Sequence, residues 1–372
     1  MQPLEPVAEG GSVSPALRGC PRVAIVAAGP EIRGGHWIQA RALSEGLAKK
    51  GYAPSFCQVN PAFPRRLAWA RDFRGLRTLV NEAFYVPSLA RLKEADVVHV
   101  FAASYWSFLL GPAPAIVIGR ALGKRVVLNY HSGEAHDHLT HWGALVHPFL
   151  RMADEIVVPS NYLRDVFARH GYSVRVIPNV VDLDRFRYRE RVPLEPRILS
   201  SRNLEPHYGV DRIIKAFSRV QEDWPKATLT IVGYGSEEKR LRRLARALAL
   251  RGVCFLGRVE PREMPAVYDA ADIYVNASLI DNQPVSILES QASGLPIVST
   301  PVGDIPSLIR HGESGVLVNP PDPAGLARAV LSLLRYPEQA RALSKRARVA
   351  VERFTWTRVV RQWADLYGGA AA

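Results

Sequence analysis

The sequence predicts an α/β protein of two doubly wound, Rossmann-like domains facing a central cleft. Three observations predict it. The chain has 372 residues, room for two domains of ordinary size. Short β-branched runs alternate with helical patterns, which implies right-handed βαβ units and parallel sheets. The alternation stops at a linker rich in proline and charge, Phe186 to Pro196, and starts again after it.

Arg22 to Ala27 (RVAIVA) is the first buried strand. A Gly/Pro loop, Gly29 to Gly35, leads into a helix from about Trp37 to Lys50. Leu43 and Leu47 share one face of it, and Gly51 stops it. Asp96 to Phe101 is the next strand. Arg125 to Tyr130 follows a helix ending at Gly123, and Glu155 to Pro159 and Val174 to Ile177 complete the first set. Beyond the linker come the strand Arg197 to Ser201, a helix from Val210 to Val220, and the strand Ala227 to Val232, ending at Gly233. Val253 to Leu256, Ile273 to Asn276 and Pro296 to Ser299 are further short strands, and Pro337 to Tyr367 is helical. The expected organisation is a disordered leader over 1–20, an N-terminal domain over 21–190 and a C-terminal domain over 191–345. A terminal helix over 346–372 is expected to cross back to the N-terminal domain.

Hydrophobic residues make up 48% and charged residues 22%, which excludes a disordered chain. Lys and Arg number 48 against 35 Asp and Glu, a net charge of +13. That surplus asks for an anionic partner and leaves nucleotide, nucleic acid and membrane surface open. Cys20, Cys57 and Cys254 lie far apart, which excludes a disulfide framework and a CxxC metal module and fits a reducing cytosol. The first twenty residues hold no apolar run for a signal peptide. No stretch of about 18 uncharged apolar residues is present to span a bilayer. The expected location is the cytoplasm, with peripheral attachment to the inner membrane face as a further option.

Ligands of doubly wound sheets bind beyond the carboxyl ends of the strands, so the strand-to-helix loops carry the chemistry. The densest signal is Asp281 to Thr300, DNQPVSILESQASGLPIVST. Asn282, Gln283 and Pro284 make a polar loop. A helix opens near Val285 and ends at Gly294, before Pro296. Its first N–H groups offer a site for anions or hydroxyls. Asp281 in the loop and Glu289 on the helix are placed to bind hydroxyls at two points of an extended ligand. On spacing alone they are equally a helix cap and a surface glutamate.

This stretch resembles the E-x7-E signature of family 4 glycosyltransferases, the retaining enzymes of GT-B fold. The family's segment runs roughly E-G-x-P-x-x-x-x-E-A-x-A-x-G-x-P-V-V. Asp281 matches the first acid, Pro284 the proline, Glu289 the second acid, and Gly294 and Pro296 the turn. Gly34-Gly35 match the glycine pair after the first strand. Ile177 to Asp182 (IPNVVD) resembles I-P-N-G-V-D, Val302 to Pro306 the G-G-x-P loop, and Phe354-Thr355-Trp356 the F-S-W of the last helix. The similarity covers about residues 20 to 367, and its specificity lies in the order and spacing of these fragments.

The resemblance implies an acceptor-binding N-terminal half and a C-terminal half that binds a nucleotide-sugar donor. It implies that Asp281 contacts hydroxyls of the donor sugar and Glu289 those of the ribose. Backbone N–H groups around Gln283 to Val285, in the loop with Asn282 and Pro284, hold sugar and phosphates. Gly35 allows close approach to the pyrophosphate, and Gly34 and Gly233 join the donor-binding candidates. His131 directly follows the strand RVVLNY. Family members often carry a histidine there that donates to the sugar or acceptor hydroxyl, while the bland reading pairs it with loop backbone. No metal and no other cofactor is expected, since the nucleotide-sugar is itself a substrate.

Two departures bear on this. The first acid is Asp281 where most members have Glu, so the carboxylate retracts by one methylene. The family's donor-phosphate pair, Arg and Lys of R-L-x-x-x-K-G, falls on Asn203 and Tyr208 when Leu204 and Gly209 are aligned. Arg202 stands one residue early, which on a strand flips the face. The alternatives are a register change at the strand end that brings Arg202 to the phosphates, Arg258 as the charge donor, or a non-catalytic member of the family.

Other features divide less sharply. His131, His136, His138, His141 and His147 invite a metal reading, but no second cluster supplies a fixed ligand set. Arg65 to Phe84 is basic and amphipathic, with Trp69, Phe73, Leu76, Val80 and Phe84 at helical spacing. It suits an anionic membrane surface or a helix packed on the sheet. Lys239 to Arg251 is read as a solvated helix face. The function expected is therefore a retaining glycosyltransferase that moves a sugar from a nucleotide diphosphate to a hydroxyl of a glycan, a lipid-linked acceptor or a small molecule. The rivals are a degenerate binding partner, a nucleic-acid binder with no recognised module, and a GT-B-like epimerase.

Overall fold

The computed structural model describes residues 20–29, 35–319 and 322–368. The expected leader, Gly34 and most of the first glycine loop fall outside them. The strands of the first sheet are β1 (Arg22–Ala27), β2 (Ala53–Gln58), β3 (Val97–Ala102), β4 (Arg125–Tyr130), β5 (Glu155–Val158) and β6 (Arg175–Val176). Those of the second are β7 (Arg197–Ser201), β8 (Thr228–Val232), β9 (Val253–Gly257), β10 (Ile273–Val275), β11 (Ile297–Ser299) and β12 (Val316–Leu317). Both sheets are parallel, ordered β2-β1-β3-β4-β5-β6 and β12-β11-β10-β7-β8-β9. By packing, the described residues within 1–130, 138–157 and 360–372 form one compact unit, and those within 131–137 and 158–359 form another. The change of sheet falls between β6 and β7, near the linker. Packing reaches further back and draws 158–190 into the second unit, where the Val181 N–H donates to the Phe354 carbonyl.

In the first unit β3 is buried along its whole length. A sheet covered on both faces needs such a continuous apolar run. His99 is the polar exception. The Tyr367 hydroxyl lies 2.8 Å from its Nδ1 and Asn129 Nδ2 lies 3.1 Å from its Nε2. Burial pushes this histidine down to about 3, so it stays neutral and ties the last helix, Trp356–Tyr367, to the sheet. β2 (APSFCQ) is not evident from sequence. It is an edge strand, half exposed, with Pro54 inside it, a residue that sheets admit at edges.

The second unit has the Rossmann order. Numbered within the sheet it reads 3-2-1-4-5-6, with β7 as strand one and β10 as strand four. The order reverses between β7 and β10, which pair directly through Ile198–Ile273 and Leu199–Tyr274. Leu199, Tyr274, Ile287, Leu288 and Ile297 pack together on one face, around the helix Val285–Ser293. That helix starts after Pro284 and stops at Gly294, whose φ of 78° is left-handed. A Cβ on Gly294 would stand 2.7 Å from the Arg189 carbonyl oxygen, so both conformation and space demand glycine. The Lys239 to Arg251 stretch overlaps the helix Glu238–Ala247, where Arg242 pairs with Glu238 at 2.9 Å on the surface.

Candidate active site

The reversal of strand order is where such a sheet opens a crevice at its carboxyl edge. Arg202 leaves the end of β7 there, and Asp281 sits in the loop after β10. Arg202 Nη2 donates to Asp281 Oδ2 at 2.6 Å and Nη1 donates to Ser286 Oγ at 3.3 Å. The guanidinium lies over the Tyr208 ring at 4.2 Å. Only 10% of the Arg202 side chain and 9% of that of Asp281 is exposed. Burial opposes the arginine charge, but the Asp281 carboxylate, with Tyr208 and Tyr274, outweighs it and raises its pKa above the ordinary value. Arg202 Nε is buried with no hydrogen-bond partner. Such a donor ordinarily has an acceptor.

The one-residue offset in sequence leaves Arg202 paired with Asp281. The Arg202 N–H still donates to the Val232 carbonyl, continuing the ladder beyond β7. Gly233, with φ 138°, lets the chain after β8 approach so closely that a Cβ would stand 2.0 Å from the Arg202 carbonyl oxygen. The structure thus gives Gly233 the task of seating Arg202. Arg258 follows β9, two strands away from β7, and stacks over Tyr234 at 5.3 Å.

Backbone contact fixes the Asp281 loop in the same way. A Cβ on Gly133 would meet the Asp281 carbonyl carbon at 3.0 Å, and one on Gly303 (φ 58°) would meet the Asp281 oxygen at 2.0 Å. Asn282 and Gln283 turn their side chains to neighbouring loops. Ser160 Oγ donates to Asn282 Oδ1, and Asn282 Nδ2 donates to the His131 carbonyl at 3.3 Å. The Asn179 N–H donates to Gln283 Oε1 at 2.6 Å, and Asn179 Nδ2 to the Gln283 carbonyl at 2.9 Å. His131 therefore lies beside the loop and anchors it through its backbone. Pro284 is the N-cap of the helix and provides no side-chain cap, so the first turn, with Val285 and Ser286, points N–H groups outward.

Glu289 lies on this helix and is 7% exposed. The Tyr268 hydroxyl donates to Glu289 Oε2 at 2.7 Å. Burial raises the carboxyl to about 7, against the Tyr268 hydrogen bond and the Arg185 charge. A carboxylate so placed accepts hydroxyl donors strongly once ionised. Gly35 opens the helix Gly35–Lys49 in the first unit, with open space where a Cβ would stand.

Sequence reasoning assigned no role to Tyr208, Tyr268, Ser286 or Ser160, because each is defined by a long-range contact. The histidine-rich segment gathers no metal donor set among the described residues. His138 is fully buried, its Nδ1 2.8 Å from the Tyr130 hydroxyl.

Two parallel, Rossmann-type six-stranded sheets are the architecture of the GT-B class. Residues 33–185 match the model described as Glycosyltransferase Family 4, and residues 184–350 match Glycosyl transferases group 1. A glycogen synthase of Mycobacterium tuberculosis is 32% identical over 292 residues, 73% of this chain and 68% of that protein. A GDP-mannose-dependent alpha-(1-6)-phosphatidylinositol monomannoside mannosyltransferase of Mycolicibacterium smegmatis is 29% identical over 70% of this chain and 73% of its own. Anabaena HepE, solved with UDP and glucose, superposes with a TM-score of 0.72 at 17% identity over 94% of this chain and 99% of that one. The last likeness speaks to the fold alone. The chain belongs to the family 4-like glycosyltransferases of GT-B fold, and it is an enzyme of that kind.

Proposed function

We propose that this enzyme moves a sugar from a nucleotide-diphosphate donor to a hydroxyl acceptor with retention of anomeric configuration, in the cytoplasm. The observation that carries the reading is the buried Arg202–Asp281 pair at the carboxyl ends of β7 and β10, beside an uncapped helix N-terminus. The name of one relative, a GDP-mannose-dependent mannosyltransferase, supports a nucleotide-sugar donor.

In this reading Asp281 accepts hydrogen bonds from donor-sugar hydroxyls. Arg202 and the first N–H groups of the Val285–Ser293 helix stabilise the charge that gathers on the departing diphosphate. The unpartnered Nε suits that task, and Arg202 takes the place of the usual Arg/Lys pair. Glu289 holds the ribose hydroxyls, exchanging or sharing its bond from Tyr268. His131 donates to the sugar or acceptor hydroxyl. The described side chains offer no carboxylate with an evident role as covalent nucleophile, so attack on the same face as the departing phosphate is the proposed course. The reaction uses no metal in this scheme. The acceptor class is left open between glycan, lipid-linked and small-molecule hydroxyls.

The test is nucleotide release by wild type, Asp281→Ala and Glu289→Ala across a panel of UDP-, GDP- and ADP-sugars. One donor is expected to support turnover, with Asp281→Ala lowering it by about 100-fold or more. Turnover that neither substitution changes would sink the site.

A further inference from the structure

The first sheet has a switch point of its own, and the turn that leaves β3 there has no part in the scheme above. The strand order reverses between β1 and β3, which pair from Val23–Val97 to Val26–Val100. Ligands of doubly wound sheets bind at the carboxyl ends beside such a reversal. The turn carries Tyr105 and Trp106. Tyr105 holds φ 56° and ψ −134°, a positive-φ backbone that glycine adopts freely and tyrosine holds only under strain. Strain of this kind is retained where the side chain is needed. The Tyr105 ring packs edge-on against His138 at 5.2 Å and Trp142 at 5.6 Å. His138 is fully buried, with the Tyr130 hydroxyl 2.8 Å from its Nδ1, so the turn is braced from the core outward. Trp106 ends this stack. Its ring meets Trp142 at 5.3 Å with the planes at 87°, yet Trp106 is 64% exposed.

We infer that Trp106 is the floor of an acceptor subsite that takes an uncharged pyranose ring. The inference rests on the transferase reading: Arg202, Asp281 and Glu289 all lie in the second unit, which leaves the switch point of the first for the second substrate. Charge selects the ligand. The whole chain carries +13, but residues 97–119 and 138–150, which supply Tyr105, Trp106, His138 and Trp142, contain no Lys, Arg, Asp or Glu. A phosphate or carboxylate finds no cation in these segments, and desolvating one without a partner is costly. A pyranose offers what the turn can use. Its C–H groups carry partial positive charge and lie on the electron-rich face of an indole. Its rim of hydroxyls meets polar groups such as Ser107, which is exposed beside Trp106. The bracing by Trp142 fixes the indole in advance, so little side-chain freedom is lost on binding.

The experiment compares wild type, Trp106→Ala and Trp106→Phe for nucleotide release on the donor that wild type turns over. The acceptors are the methyl glycosides of glucose, galactose, mannose and rhamnose, with their octyl glycosides beside them. In wild type a neutral glycoside is expected to raise release above the rate to water alone. Trp106→Ala is expected to raise the acceptor KM about tenfold or more, with kcat changed by less than about threefold. Release to water and the thermal unfolding midpoint stay as in wild type, and Trp106→Phe keeps most of the acceptor affinity. The octyl glycosides tell a lipid-linked acceptor from a free one, and the Trp106→Ala effect is expected on both. Equal acceptor KM in wild type and Trp106→Ala, or stimulation only by ring-free acceptors such as glycerol and diacylglycerol, overturns the inference while the donor site stands. A wild type that releases nucleotide from no donor sinks the transferase reading, and the inference with it.

Discussion

The helices Val285–Ser293 and Arg74–Ser88 differ in what they bury. The first buries Ser286, Glu289, Ser290, Gln291 and Ser293 along with its apolar residues. Each contact found for these polar groups is specific: Ser290 Oγ donates to the Ser286 carbonyl at 2.6 Å, and Gln291 Nε2 to the Leu308 carbonyl at 2.8 Å. Its last carbonyl, on Ser293, accepts from the buried Arg191, a cation at the negative helix end. The second helix leaves Leu79 and Phe84 in solvent and turns Asn81 and Tyr85 inward. Buried polar groups and exposed apolar patches are the informative departures from ordinary burial. Here one departure lies at the proposed donor site and the other on the exposed surface of the first unit.

The largest expected effect breaks the first helix's surroundings. Arg202→Ala is expected to lower kcat/KM by about 100- to 1,000-fold, through lost charge stabilisation. It also destabilises the fold by roughly 3 kcal/mol or more, because Asp281 stays buried without its partner. Thermal unfolding read beside the kinetics separates the two losses. Gly303→Ala comes next. A Cβ 2.0 Å from the Asp281 oxygen, at φ 58°, displaces the loop, and a loss of about 2 kcal/mol in a denaturant titration is expected.

Glu289 sharpens the comparison through pH. Burial raises its carboxyl from 4.5 to about 7, so the folded chain holds a proton there that the unfolded chain has released. That contribution to stability is complete below about 4.5 and is lost as pH rises through about 7. Glu289→Gln should therefore gain stability relative to wild type between those values, by up to about 3 kcal/mol. If Glu289 holds the ribose as proposed, nucleotide affinity should weaken in wild type as pH falls through about 7 and stay flat in Glu289→Gln. Calorimetric titrations across this range read it directly. The smallest effect belongs to the other helix: Leu79→Ser is expected to change unfolding free energy by less than about 0.5 kcal/mol. A larger loss would mean that Leu79 is packed in solution.

Much of this was legible in the sequence. The runs that became β1, β3, β4 and β8 are rich in β-branched and apolar residues, and local pattern suffices for such strands. β2 and β12 escaped because an edge strand with a proline and a two-residue strand carry too little pattern. Asp281 and Glu289 were readable because loop, helix and turn lie in one continuous stretch. Arg202 was visible only as an alternative, since its face depends on Gly233, thirty-one residues on, and on how closely two backbones approach. The clamps of Asn282 to Ser160 and Gln283 to Asn179 join residues 122 and 104 positions apart, a separation that no spacing rule reaches. The composition foretold a basic chain, but only the inward Asn81 and Tyr85 show which face of the Arg74–Ser88 helix meets solvent.

The most direct test sets Arg202→Ala beside Arg258→Ala, measuring nucleotide release on the donor that wild type turns over. If the buried pair at the switch point holds the leaving diphosphate, Arg202→Ala loses about 100-fold or more while Arg258→Ala loses less than about tenfold. A larger loss in Arg258→Ala, with Arg202→Ala folded and active, would contradict it.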